Sequence, residues 1–179
     1  LKYFRDEFEA HIIDKRCPAG VCTAFAPSPC RSGCPAEVNI PEYISLIADG
    51  KYDEALAVHR QSNPFPSVCG RVCPAFCEDK CRRGEVDDPV AVRDLKRFMA
   101  DHESAPWVPE QLEPDKGESV AIVGGGPGGL TAALRLAQFG YRCTVYEALP
   151  KLGGMMRYGI PDYRLPKSVL DDEISSILR

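Results

Sequence analysis

The sequence predicts an α + α/β chain. A helical, cysteine-rich first half is joined to the opening strand–helix–strand of a nucleotide-binding α/β unit. Two observations carry this. Eight of the nine cysteines fall within the first 81 residues, as Cys17, Cys22, Cys30, Cys34, Cys69, Cys73, Cys77 and Cys81. Further on, Gly124-Gly125-Gly126-Pro127-Gly128-Gly129 stands between a short apolar run and a helical pattern. At 179 residues there is room for one or two domains. The separation of cysteines from glycines favours two: residues 1–102 and 119–179, joined by 103–118.

Composition narrows the function classes. A hydrophobic content of 44% is ordinary for a globular chain. No apolar run reaches the ~18 residues of a membrane span, and nothing at the start reads as a secretory signal; a cytoplasmic protein is expected. The net charge of −4 argues against a nucleic-acid partner. Arg31, Arg71, Lys80, Arg82 and Arg83 lie beside the cysteines, placed to offset the charge of thiolates.

Residues 2–14 read as a helix, with Phe4, Phe8 and Ile12 on one stripe. Residues 15–40 read as loop, broken by Pro18, Gly20, Pro27, Pro29, Gly33 and Pro35. Pro41 opens a short helix over 42–48 that Gly50 stops. A second runs from an Asp53 N-cap to about Gln61, with Tyr52, Leu56 and His59 on one face; His59 reads as a packing residue before a ligand. Asn63-Pro64-Phe65-Pro66 ends it. Asp88-Pro89 caps a third helix reaching His102, striped by Val92, Leu95, Phe98 and Met99. The proline-rich 103–118 is a semi-extended linker, anchored by Trp107. A buried strand (119–123), a helix (Leu130 to Phe139) and a second strand (142–146) follow. Cys143 in that strand reads as a structural thiol. A last helix, from Lys167 to Leu178, turns Val169, Leu170, Ile174, Ile177 and Leu178 inward.

The cysteines admit three readings. Disulfides need an oxidising compartment, which no export signal supports. Zinc sites usually carry C-x2-C pairs, and none occurs here; the spacings are x4, x7 and x3, then x3, x3 and x3. Iron–sulfur ligation tolerates such spacing, and the Cys-Pro steps at Cys34 and Cys73 fit ferredoxin-like runs. Eight thiolates match two [4Fe-4S] clusters, because each iron takes one.

The Gly-rich turn is specific because of its context: a strand before it, a helix after it, then a second strand ending in an acid. Gly124 permits the tight turn, Gly126 close approach of a pyrophosphate, and Gly129 close packing of helix on strand. The helix N-terminus, with Pro127 and Gly128, offers free N–H groups to phosphates. Glu147 is placed to bind ribose hydroxyls, and its charge disfavours a 2′-phosphate. FAD or NAD remains, and NADP is not expected at this turn.

With both halves described, the chain resembles the small subunit of glutamate synthase and its relatives, which include the N-terminal part of dihydropyrimidine dehydrogenase and the large subunit of NADH-dependent ferredoxin:NADP oxidoreductases. The resemblance covers about residues 15–179. It is carried by Cys30-x3-Cys34-Pro35, Asn63-Pro64, Cys69-Gly-Arg-Val-Cys73-Pro74, Val120 to Leu130, Leu152-Gly153-Gly154 and Gly159-Ile160-Pro161. It implies an all-helical domain holding two [4Fe-4S] clusters, then a Rossmann-like FAD domain in which Gly153 and Gly154 join the flavin site. It also implies one cluster on Cys17, Cys22, Cys30 and Cys81, and another on Cys34, Cys73, Cys77 and a fourth ligand. In several relatives that fourth ligand is a Gln or Glu; the matching position here is Lys96, whose ammonium cannot ligate iron, and Cys69 is expected instead. The x4 spacing of Cys17 and Cys22 departs from the family's usual x2. Residues 3–22 instead resemble the C-terminal end of NADH-binding subunits of complex I-like enzymes and hydrogenases.

The implied function is electron transfer in an NAD(P)H-dependent oxidoreductase, between FAD and a partner subunit. That partner would be the glutamate synthase large subunit, or a ferredoxin, hydrogenase or formate dehydrogenase module. The NAD(P)H domain is expected outside this chain, which stops short of a whole flavin domain. No catalytic acid, base or nucleophile is required, because the cofactors carry the chemistry. The competing reading is a docking module with structural zinc or cysteines and a nucleotide scaffold.

Overall fold

The computed structural model describes residues 27–179. The helix expected over 2–14, and Cys17 and Cys22, lie outside the described residues. The first half is helical: α1 (Pro29–Ser32), α2 (Ile40–Ala48), α3 (Tyr52–Arg60), α4 (Pro66–Val72), α5 (Phe76–Asp79), a 3-10 turn (Arg82–Glu85) and α6 (Val92–Asp101). The second half contains β1 (Ser119–Val123), α7 (Pro127–Gln138), β2 (Arg142–Tyr146), α8 (Met155–Tyr158) and α9 (Lys167–Ile177). Among the described residues no helix is long and apolar enough to cross a membrane.

Several local expectations are corrected. Residues 15–40 are not all loop: Ser28 Oγ caps α1, with Pro29 at its first position. Asp53 is not a cap. The second helix begins at Tyr52, and the Asp53 carboxylate accepts instead from the Ser104 N–H (3.0 Å) and hydroxyl, which ties the start of 103–118 to α3. Asp88-Pro89 does not cap α6. That helix begins at Val92, and its Arg93 N–H is taken by the Glu78 carboxylate of α5 at 2.8 Å. Pro66 starts a helix as well as ending the preceding segment. Leu178 is exposed just past the end of α9.

A first core gathers Val38, Ile40, Tyr43, Leu56, Val58, Cys77, Val92 and Met99, with Cys30 and Cys34 packed against it. Gly70 decides how the helices cross. A Cβ there would stand 2.7 Å from Arg97 Cα, so α4 and α6 meet backbone to backbone. Val92, Lys96 and Met99, at helical spacing, form the buried face of α6.

Strands β1 and β2 are parallel, Ser119 opposite Arg142 and Val123 opposite Tyr146. Their burial alternates. β1 is therefore covered on one face only, and Val123 is 90% exposed where a buried strand was expected. The half-buried Cys143 Sγ lies 3.8 Å from Tyr141 O.

A second core crosses between the halves. Phe65 and Val68 of the cysteine half pack with Leu130, Leu134, Met156, Leu165, Leu170, Ile174 and Ile177, and Trp107 joins this cluster. The Arg60 guanidinium lies 4.7 Å from the Trp107 ring centre and pairs with both Glu103 oxygens at 2.6 and 3.0 Å. Glu173 of α9 closes the junction. Its buried carboxylate accepts the Ser67 and Val68 N–H groups at 2.5 and 3.1 Å, the first-turn donors of α4 that have no partner inside their own helix. Residues 103–118 run along α7, where Leu112 and Glu113 N–H both donate to Gln138 O.

Candidate functional site

Cys69 and Cys73 are four residues apart, so they share one face of α4 and its end. The helix stops there because Cys73 precedes Pro74, which disfavours the helical conformation for it. Ala75 then adopts a left-handed conformation (φ 61°), and its N–H donates to Cys73 Sγ at 3.4 Å. This turn sets Cys77 in α5 opposite α4. Cys34 arrives from the segment after α1.

The result is a cavity of about 170 Å³ lined by Cys34, Cys69, Cys73 and Cys77. Tyr43, His59, Asn63, Phe76 and Lys96 complete its polar and aromatic wall, and no carboxylate lines it. Among the described residues no three His, Cys, Asp or Glu side chains converge tightly enough for one metal ion. The four sulfurs stand around a space. A zinc ion needs its thiolates ~2.3 Å from a single point, whereas a multi-iron cluster fills a volume and takes one thiolate per iron. The donor set therefore fits a cluster.

The electrostatics of the wall are specific. Burial pushes the Cys77 thiol up to about 11 and also raises Cys69; in both, the Lys96 charge pulls the other way. Burial, then the Lys96 charge, lowers His59 to about 3. His59 is thus neutral, and its Nδ1 lies 2.9 Å from Asn63 O. Asn63 in turn donates from Nδ2 to Cys69 Sγ at 3.4 Å. Sequence reading placed His59 on a packing face and Asn63 at a helix end; both line the cavity. The only signal for Asn63 was its place in the Asn63-Pro64 motif.

Cys30 and Cys81 lie outside this cavity. Cys30 Sγ sits 3.2 Å from Ser28 Oγ. Cys81 opens on a separate depression of about 750 Å³ that it shares with Pro29, Lys80 and Arg82.

At the Gly-rich turn, Gly126 is the N-cap of α7 and no side chain caps it. A Cβ on Gly129 would lie 1.9 Å from Gly124 O, which is the close helix–strand contact expected of it. A Cβ on Gly128 would meet nothing within 4 Å, so this face of the helix N-terminus is open. Leu152-Gly153-Gly154 folds over the turn: Gly153 N–H donates to Gly125 O at 2.7 Å, and a Cβ on Gly154 would be 2.8 Å from Gly126 Cα. Glu147, at the end of β2, accepts from Leu149 N–H (2.9 Å) and Gly125 N–H (2.7 Å). Those bonds, with Leu149 the larger cause, hold its carboxyl below the usual range. Gly125, which the G-x-G-x-x-G reading left unassigned, is therefore the residue that ties the acid to the turn.

A cleft of about 560 Å³ runs between the two sites, with Pro127, Gly128 and Thr131 on one side and Asn63, Phe65 and Cys69 on the other.

Comparison with known proteins agrees with this geometry. The family model described as dihydropyrimidine dehydrogenase domain II, 4Fe-4S cluster, matches residues 4–107. A model described as NAD(P)-binding Rossmann-like domain matches 122–171. The chain is 46% identical to the NADP(+)-dependent formate dehydrogenase subunit beta of Moorella thermoacetica, over 86% of this chain and 25% of that protein. It is 47% identical to the NADPH-Fe(3+) oxidoreductase subunit beta of Geobacter sulfurreducens, over 99% of this chain and 27% of that protein. The glutamate synthase [NADPH] small chain of Mycobacterium tuberculosis is 37% identical, over 83% of this chain and 31% of its own. The chain thus spans between a quarter and a third of these relatives. A helical iron–sulfur domain, followed by the start of a Rossmann-like nucleotide-binding unit with a small parallel sheet, places the chain in the dihydropyrimidine dehydrogenase domain II family of 4Fe-4S proteins, alongside the glutamate synthase small chains.

Proposed function

We propose that this chain is the electron-transfer portion of an NAD(P)H-dependent iron–sulfur flavoprotein oxidoreductase. The observation that carries the reading is the cavity on which Cys34, Cys69, Cys73 and Cys77 converge without a carboxylate. These four would hold one [4Fe-4S] cluster. Cys17, Cys22, Cys30 and Cys81 would hold a second.

The Gly-rich turn would hold FAD. Gly124, Gly126 and Gly129 shape the turn, and the open N-terminus of α7 at Pro127 and Gly128 faces the phosphates. Gly153 and Gly154 close over them. Glu147 already accepts two backbone N–H groups, and each carboxylate oxygen keeps a further lone pair for a ribose hydroxyl. Bound in these places, FAD would take a pair of electrons from reduced nicotinamide and the clusters would accept them singly. The chain's own contribution is placement. Asn63 and Cys69 wall the same cleft as Pro127 and Gly128, which supports the Cys69 cluster as the one nearer the flavin.

NAD(P)H itself would bind outside these residues. The partner is another oxidoreductase subunit. The names of the relatives point to formate dehydrogenase, iron reductase and glutamate synthase assemblies.

The test is iron and acid-labile sulfide per chain on anaerobically prepared protein, with EPR after dithionite. About eight of each are expected. Cys69→Ala should lose about half while the rest stays. Stoichiometric zinc without iron would replace this reading with a docking module, and full retention of iron in Cys69→Ala would remove Cys69 from the ligand set.

A further inference from the structure

Lys96 occupies a position that the pattern of α6 reserves for an apolar side chain. Its neighbours on that face, Val92 and Met99, are 1% and 0% exposed, and Lys96 itself is only 8% exposed. The charged residues around it pair outward, Arg93 with Asp94 and Arg97 with Asp101. Among the described residues Lys96 makes neither a hydrogen bond nor an ion pair with a carboxylate. What it faces is the cavity of Cys34, Cys69, Cys73 and Cys77. A lysine that is nearly buried, has no carboxylate partner and faces four thiols is placed to meet negative charge in that cavity.

We propose that Lys96 is the buried counter-ion of the group held by these four cysteines and sets its reduction potential. The proposal rests on the cluster reading above. A four-iron cluster with four thiolates is net negative when oxidised and gains one more negative charge on reduction. A fixed positive charge in a carboxylate-free wall favours the reduced form more than the oxidised one, and so raises the potential. Charge and hydrogen bonds around the sulfurs are established means of setting such potentials. The lining supports this by geometry: Lys96 stands in the same wall as Cys34, Cys69, Cys73 and Cys77, and no carboxylate or second lysine or arginine lines it. Lys96 is a positioning residue: it ligates no iron and acts through the field at the cluster.

The experiment compares unsubstituted protein with Lys96→Met and Lys96→Arg, prepared anaerobically. Iron and sulfide are measured first, then the midpoint of each cluster by EPR-monitored redox titration. Lys96→Met keeps the unbranched stem of the side chain as far as Cε and removes the charged nitrogen. Its iron should be retained, and one midpoint should fall by at least tenfold in the one-electron equilibrium constant, about 59 mV. Lys96→Arg should hold that midpoint near the original. Loss of one cluster's iron from Lys96→Met with retention in Lys96→Arg would support the same conclusion, since charge is what Lys and Arg share. An unchanged midpoint in an iron-replete Lys96→Met protein would overturn it, as would equal loss of iron from both variants. Absence of iron from the unsubstituted protein would instead refute the cluster reading itself, a result the metal analysis separates from any effect of Lys96.

Discussion

Glu173 gives the most direct test of how the two halves are joined. It sits in α9 and is 7% exposed, yet its carboxylate receives the first-turn N–H groups of α4, the helix that carries Cys69. Two effects compete. Burial disfavours the charge, while two backbone N–H bonds and the positive end of α4 favour it. Burial wins, and lifts the carboxyl from an ordinary 4.5 to about 7. A carboxyl whose midpoint is raised by folding binds its proton more tightly in the folded state. Its contribution to stability is therefore fully present below about pH 4.5 and is lost as pH rises to about 7. At about 1.4 kcal/mol per decade the change is about 3 kcal/mol. Glu173→Gln keeps the shape and cannot titrate, so it serves as the reference. Urea unfolding is followed by fluorescence of Trp107, the only tryptophan, which packs in the same core. The stability of the unsubstituted protein minus that of Glu173→Gln should fall by about 3 kcal/mol, mostly between pH 5 and 7.5, and then level off. A difference flat to within roughly 0.5 kcal/mol would refute the reasoning. It would mean that the two N–H bonds and the helix N-terminus offset burial in full.

Two further substitutions test close approaches of backbone. Gly129→Ala sets a Cβ 1.9 Å from Gly124 O, so the turn must open; the flavin proposed for this turn should be retained far less while the iron proposed for the cysteines is kept, and equal flavin in both proteins would contradict this. Gly70→Ala sets a Cβ 2.7 Å from Arg97 Cα and must push α4 from α6, at a cost of about 1–3 kcal/mol; it should lower both the urea midpoint and the iron retained, and unchanged values of both would show that the crossing has slack.

The elements that could be read from the sequence are those with their own period or signature. The strand–turn–helix–strand of the second half needs only local residues: Gly124 to Gly129, the flanking apolar runs and Glu147. Helices α2, α3, α6 and α9 are long enough to show a stripe. Helices α1, α4, α5 and α8 have between four and seven residues, too few for a stripe, and three of them contain or adjoin a cysteine whose neighbours look like loop. Asp53 and Asp88 show a second limit. An N-cap residue is recognised by type, but a carboxylate goes to whichever N–H groups the tertiary fold presents. Asp53 reaches Ser104 across 51 positions, and α6 receives its acceptor from Glu78.

The same limit explains which part of the candidate site was hidden. The resemblance grouped Cys34, Cys73 and Cys77 with Cys69, and these four line one cavity; what stayed hidden is that Lys96 joins them, which depends on the crossing of α4 and α6. That crossing is set by Gly70, a residue with no side chain to advertise it. Lys96 follows from it: on α6 alone it breaks an apolar stripe, and only the approach of α4 turns the break toward Cys69 and Cys77. The joint between the halves adds the last step. Phe65 and Val68 pack into the nucleotide half, and Glu173 from that half holds the N-terminus of α4. α4 therefore bears a sulfur of the cavity at Cys69, a glycine contact to α6 at Gly70 and a cap supplied by α9. α4 thus links the wall of the cavity to the second half of the chain, through Glu173 and through the packing of Phe65 and Val68.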